Sequence, residues 1–162
     1  MGVEQDARVT LAGPDWLAET YRAHAAKLWR ALIAYAGDRE VADNALSEAF
    51  AQAAARGSAL RTPERWIWTA AFRIAAGELK ARDLRQATPV APSGVDATDA
   101  VELLVALAKL PPKQRAALVL HYYGGYKTRE IALMVGSTAA TVRVHLSAGR
   151  KRLRQLLEVD DD

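Results

Sequence analysis

The chain has 162 residues, 51% of them hydrophobic and none of them cysteine. That supports one moderate core or two small ones, and it excludes disulfides and thiolate metal sites. The net charge of +3 is unevenly spread: residues 1–108 hold 12 basic and 14 acidic side chains, residues 109–157 ten basic and one acidic, and residues 158–162 four acidic.

A near-neutral front and a basic back point to polyanion contact in the C-terminal half. No apolar run reaches membrane-spanning length, and the opening MGVEQDARVT lacks a signal-peptide core and matches the N-myristoylation pattern poorly. The expectation is a cytoplasmic protein without membrane insertion.

Residues 1–13 show no periodicity and read as a loose arm. Pro14-Asp15 opens a long helix, with Asp15 as its expected N-cap. Leu17, Tyr21, Leu28, Leu32 and Tyr35 form its apolar stripe, and Gly37 ends it. Asp38 caps a second helix that buries Val41, Ala45, Leu46, Ala49, Phe50 and Ala53. Asp43, Asn44, Ser47 and Glu48 line its other side; by itself, such a polar face is ordinary for a solvated helix.

A loop over Arg56–Arg61 leads to Thr62-Pro63, a cap and first-turn pair that starts a third helix. At 100° per residue, Trp66, Ile67, Ala70, Ala71, Ile74 and Ala75 cover one broad side, extended by Trp68, Phe72 and Leu79. Arg65, Thr69, Arg73, Ala76 and Lys80 remain as an exposed basic strip beside aromatic rings. Such a strip suits a strand of unstacked bases, cations following phosphates while rings stack on base faces. The plainer reading is a core helix with solvated arginines. Trp66 fits that plainer reading; for Trp68 both readings stand.

From Asp83 to Asp99 the composition turns to ATPVAPSGVDATD, a flexible linker. Val101, Leu103, Leu104 and Leu107 then give a short helix that stops at Leu110-Pro111-Pro112. Pro112 starts another, with Ala116, Val119, Leu120 and Tyr123 facing inward, and Gly124-Gly125 closes it. In YKTREIALMVGSTAATVRVHLSAGRKRLRQLL, Ile131, Ala132, Val135, Val142, Leu146, Leu153 and Leu157 recur at helical spacing around a turn at Gly136. Ser137 or Thr138 can cap the second helix of that pair. A helix–turn–helix of this kind presents the start of its second helix to the major groove. Ala139 and Ala140 permit close approach, Thr141 offers an adaptable hydrogen bond, and Arg143 has the fork that pairs with guanine. Arg150, Lys151, Arg152 and Arg154 follow on the same helix. An ordinary helical hairpin with a solvated basic face is the alternative.

Catalytic and metal chemistry find no footing. His24, His121 and His145 are far apart in sequence, Tyr122-Tyr123-Gly124-Gly125 lacks a phosphate-loop lysine, and the carboxylates are not paired. An enzyme is not expected, nor a cofactor or a metal. With no strand pattern and no repeat, the fold class is all-α: two small helical domains joined by a flexible linker, the second containing the helix–turn–helix.

The order of these pieces resembles the small two-domain sigma factors of bacterial RNA polymerase, the extracytoplasmic-function group. The resemblance spans about residues 15–85 and 100–157. GDREVADNALSEAF is similar to the segment that docks on the polymerase clamp helices, which implies polymerase contacts at Asp43, Asn44, Ser47 and Glu48. PERWIWTAAFRIAAGELKAR is similar to the segment that opens and reads the upstream edge of the minus-ten element, implying DNA contacts at Arg56, Arg61, Arg65, Trp68, Arg73 and Lys80. LPPKQRAALVLHYYGGYKTREIALMVGSTAATVRVHLSAGRKRL resembles the minus-thirty-five-binding unit, implying contacts at Thr138, Ala139, Ala140, Thr141, Arg143, Val144, His145, Ser147, Arg150 and Lys151.

The resemblance divides the chain into a region-2-like domain at 14–85, a linker at 86–99 and a region-4-like domain at 100–158. Its implied partners are core RNA polymerase, promoter DNA and an anti-sigma protein. Asn44 stands where the family often has aspartate, Ser47 where it has glutamine and Arg73 where it has asparagine, while His145 and Ala148 replace frequent arginines. No added C-terminal sensor domain is expected after the motif. Two other functions fit the pattern: a helix–turn–helix regulator acting without polymerase, and a degenerate sigma-like module that binds only proteins.

Overall fold

The structure, a computed structural model, describes residues 15–57, 60–83 and 98–158. Seven α-helices account for almost all of the described residues. The first three are α1 (Asp15–Ala36), α2 (Arg39–Arg56) and α3 (Pro63–Asp83), each packed against the other two. Leu28, Ala31, Leu32 and Tyr35 of α1 meet Val41, Ala45, Ala49 and Phe50 of α2 and Ile67, Ala71 and Ala75 of α3, all buried. Alanines dominate the α2 and α3 faces, which lets the three helices approach closely.

The turn between α1 and α2 is built as its residues dictate. Gly37 takes φ 65° while its N–H bonds Ile33 O at 2.8 Å, and the Asp38 carboxylate accepts from Val41 N–H at 3.0 Å. Arg82, near the end of α3, ties this cap to the third helix by donating to Asp38 Oδ2 at 2.6 Å and to Glu40 at 3.3 Å. Partial burial pushes the Asp38 carboxyl up, but the Val41 bond and the Arg82 hydrogen bond and charge outweigh it, leaving the pKa below its usual value.

The second unit holds α4 (Thr98–Ala108), α5 (Pro112–Leu118), α6 (Thr128–Val135) and α7 (Ala139–Glu158). Leu107, Leu110, Leu118, Leu120, Ile131, Met134, Val142 and Leu146 form its core. Gly149 is buried on α7 against α5, where a Cβ would come within 3.0 Å of the Leu118 side chain. Among the described residues no single helix is long and apolar enough to cross a membrane. The Pro14, arm (1–13) and C-terminal (159–162) readings, and linker residues 86–97, lie outside the described residues, as do Ser58 and Ala59 of the loop. Thr98 and Asp99 already belong to α4.

Three side chains depart from the expected faces. Tyr123 is exposed rather than inward, because α5 runs into a π-helical turn at Val119–Tyr123. The wider i→i+5 turn rotates everything after Leu120 out of the α-helical phase that the sequence pattern assumes. Val135, at the last turn of α6, is exposed, and Met134 takes the buried place. Tyr21 is half-exposed, packing only one edge on Phe50 at 5.0 Å between ring centroids.

The two units touch. α1 meets α4, α5 and the π turn, while α3 meets α6.

Candidate nucleic-acid and polymerase interface

The helix–turn–helix is shaped by its turn. Gly136 adopts the left-handed conformation (φ 68°, ψ 43°), and its N–H and that of Ser137 both close back on Ala132 O. Thr138, not Ser137, supplies the cap: its Oγ1 accepts from Thr141 N–H at 3.1 Å, and its hydroxyl donates to Thr141 Oγ1 at 2.9 Å. The chain bends by 103° between α6 and α7, within the range of helix pairs that place one helix in a groove. At the start of α6, the Glu130 carboxylate accepts from Lys127 N–H at 3.0 Å.

Val142, Leu146 and Gly149 anchor one face of α7 inside, and its opposite face points outward. Thr138, Ala140, Thr141, Arg143, Val144, Ser147, Arg150 and Lys151 are exposed, and Ala139 and His145 are half-buried. Arg150 is held by a partner sequence reading missed: its Nη1 donates to the Tyr122 hydroxyl at 2.9 Å. Tyr122 lies in the π turn and 28 residues away, a pairing that no local pattern reveals.

On the first unit, Asp43, Asn44, Ser47 and Glu48 stand together on the exposed side of α2. Asp43 is oriented from α1, its Oδ1 accepting from Trp29 Nε1–H at 2.7 Å, and Glu48 accepts from Gln52 at 3.1 Å. The minus-ten candidates divide. Arg61, Arg73 and Lys80 are exposed, and Arg56 lays its guanidinium over the Trp66 ring at 5.1 Å. Arg65 is half-buried and pairs with Glu130 of α6 at 3.6 Å.

Trp68 is 1% exposed. It stacks on Phe72 at 6.2 Å and meets the edge of Tyr126 from the second unit at 5.6 Å. Neither its indole N–H nor the Tyr126 hydroxyl has a protein hydrogen-bond partner. Burial pushes the Tyr126 phenol well above its usual pKa, with Glu64 and Glu130 adding to the effect.

Beside this contact lies a cleft of about 690 Å³ between the units. Arg73 and Lys80 line one wall and Thr141 and His145 the other, over a floor that includes Phe72, Leu79 and Met134. Arg115 closes one end, donating to Ala108 O and Leu110 O at 3.3 Å and lying 5.3 Å from the Tyr35 ring. Burial pulls the Arg115 pKa below its usual value, against the opposing influence of Tyr35 and Asp83. Among the described residues no group of three or more histidine or carboxylate side chains is placed to hold a metal ion.

Residues 100–153 match the family described as Sigma-70, region 4. Over 153 residues the chain is 28% identical to the ECF RNA polymerase sigma factor SigL of Mycobacterium tuberculosis, covering 85% of this chain and 86% of that one. It is also 28% identical over 166 residues to the probable ECF RNA polymerase sigma factor SigI of the same species, covering 87% of this chain and 55% of that protein. The fold is shared with the sigma factor RpoE from Bartonella quintana, solved in complex with the anti-sigma factor NepR, at a TM-score of 0.74 and 18% identity over 91% of this chain and 99% of that one. With its region-4 helix–turn–helix behind a three-helix front unit, the chain is similar along most of its length to the extracytoplasmic-function sigma factors of RNA polymerase.

Proposed function

We propose that this sigma factor divides its work between its halves, residues 14–85 acting on polymerase and the minus-ten element and residues 100–158 on the minus-thirty-five element, joined by the linker at 86–99. The observation that carries this reading is the outward face of α7. Its first turn is capped by Thr138, and Arg143 stands exposed on the following turn, the arrangement a base-reading helix needs. Arg143 reads a guanine edge, and Arg150 and Lys151 hold phosphates. On the first unit, Arg56, Arg61, Arg65, Arg73 and Lys80 follow the strand that melts. The acidic face of α2 meets a basic partner on the polymerase clamp. The protein works in the cytoplasm, carries out no chemistry of its own, and is a target for an anti-sigma protein.

The α2 face is tested by binding. Replacing Asp43 and Glu48 together with lysine reverses two exposed charges outside the core, so the helical signal in circular dichroism is expected to stay unchanged. Affinity for core polymerase is expected to fall at least tenfold at moderate salt. Undiminished capture of core polymerase by the double variant would place the docking surface elsewhere.

A further inference from the structure

We propose that the cleft lined by α3, α5 and α7 is a binding site for a small organic acid, its apolar body lying on the floor and its anionic head held by the basic walls. The volume suits such a guest, at about 690 Å³ against the ~300–1,000 Å³ of most small-ligand sites. Phe72, Leu79 and Met134 give the floor a ring, a branched chain and an adaptable thioether, surfaces that take an aromatic or acyl body. The walls carry charge mainly of one sign. Arg73 and Lys80 come from α3 and Lys113 and Arg115 from α5, with Asp83 the one acid among the lining residues.

Arg115 is the natural anchor for the head. Its Nη1 is committed to Ala108 O and Leu110 O, while its Nε is buried without a protein acceptor. Burial also pulls its pKa down, so its charge is poorly solvated and gains more from an added anion than a surface arginine would. A carboxylate is the anion a guanidinium holds best, through paired N–H bonds. The other three cations raise the local concentration of any anion, and the Ser137 and Thr141 hydroxyls offer neutral hydrogen bonds. A duplex is too wide for this space, and a bare inorganic anion has no use for the floor. Arg73 and Lys80 are shared with the proposed minus-ten contacts, so a bound acid competes with DNA for those two side chains. The binding itself does not depend on that reading, and it is tested without DNA.

The probe is anilinonaphthalene sulfonate, an aromatic acid that fluoresces when it leaves water, titrated into the full chain at constant ionic strength. A single saturable site is expected, with the probe displaced by naphthoate and not by the same concentration of sulfate. Phenylnaphthylamine, the same ring system without the acid, is expected to bind roughly tenfold more weakly. Two exposed lining residues serve for variants. Ala76→Trp fills the space and leaves the charge unchanged. Lys113→Glu reverses one wall charge at the start of α5, where an acid suits the helix. Each is expected to weaken the probe about tenfold, with circular dichroism and thermal midpoint near those of the parent chain. If one variant loses its fold, the other decides. Undiminished binding in a folded variant, equal affinity for the neutral ring, displacement by sulfate as readily as by naphthoate, or uptake that never saturates overturns the site.

Discussion

Asp38 does two jobs with one carboxylate, accepting from the Val41 N–H that opens α2 and from Arg82 at the far end of α3. Its pKa lies below the ordinary value, so its contribution is complete above the usual carboxylate range and is lost as pH falls through the lowered folded value. Asp38→Ala is expected to cost about 1–2 kcal/mol at neutral pH, the usual loss of an N-cap with a linked ion pair. Chemical denaturation of both proteins at neutral pH and near pH 3 checks this, since the gap should narrow in acid. Asp38→Asn retains the cap and should cost less. Asp38 was legible in the sequence because a cap acts on the three residues that follow it. The Asp43–Trp29 bond and the Tyr122–Arg150 bond were not, because nothing local marks partners 14 and 28 residues apart.

At the scale of elements, periodicity located the helices well and misjudged faces where the helix itself changes. The π turn at Val119–Tyr123 carries Tyr123 outward and Tyr122 toward Arg150, and an α-helical wheel cannot anticipate the added width. Gly124 follows directly, where a Cβ would meet Leu120 O at 2.7 Å and the Trp68 ring at 3.1 Å. Gly124→Ala is therefore expected to destabilise the chain by roughly 1–3 kcal/mol, read as a lower thermal midpoint. An unchanged midpoint would mean the turn relaxes without cost. On α3, the helical wheel sets Arg65 and Arg73 on one strip, while the structure turns Arg65 toward Glu130 and leaves Arg73 exposed in the cleft. Removing both charges is expected to slow open-complex formation more than it weakens closed duplex binding, and a premelted promoter should rescue much of the loss. Loss of duplex affinity without that rescue would make the strip an ordinary backbone contact.

The whole molecule joins a three-helix front unit to a helix–turn–helix back unit, and its two-unit, all-helical form followed from caps, prolines and apolar spacing. What no pattern disclosed is that the units rest against each other, since Trp68 reads equally as a core ring or a base-stacking one. Its 1% exposure comes from packing across the units at Tyr126 as well as on Phe72. The central claim, that this chain directs polymerase to promoters through α7 and α3, is tested most directly by transcription with purified core polymerase on a library of random upstream sequences. The 5′ ends and upstream regions of the transcripts are then sequenced. The chain is expected to select two short motifs at fixed spacing. Arg143→Ala should relax one base pair of the upstream motif alone, at about 1–3 kcal/mol, whereas Lys151→Ala should weaken all templates alike and flatten the salt dependence. Transcripts no more numerous or selective than core polymerase gives alone would contradict the account.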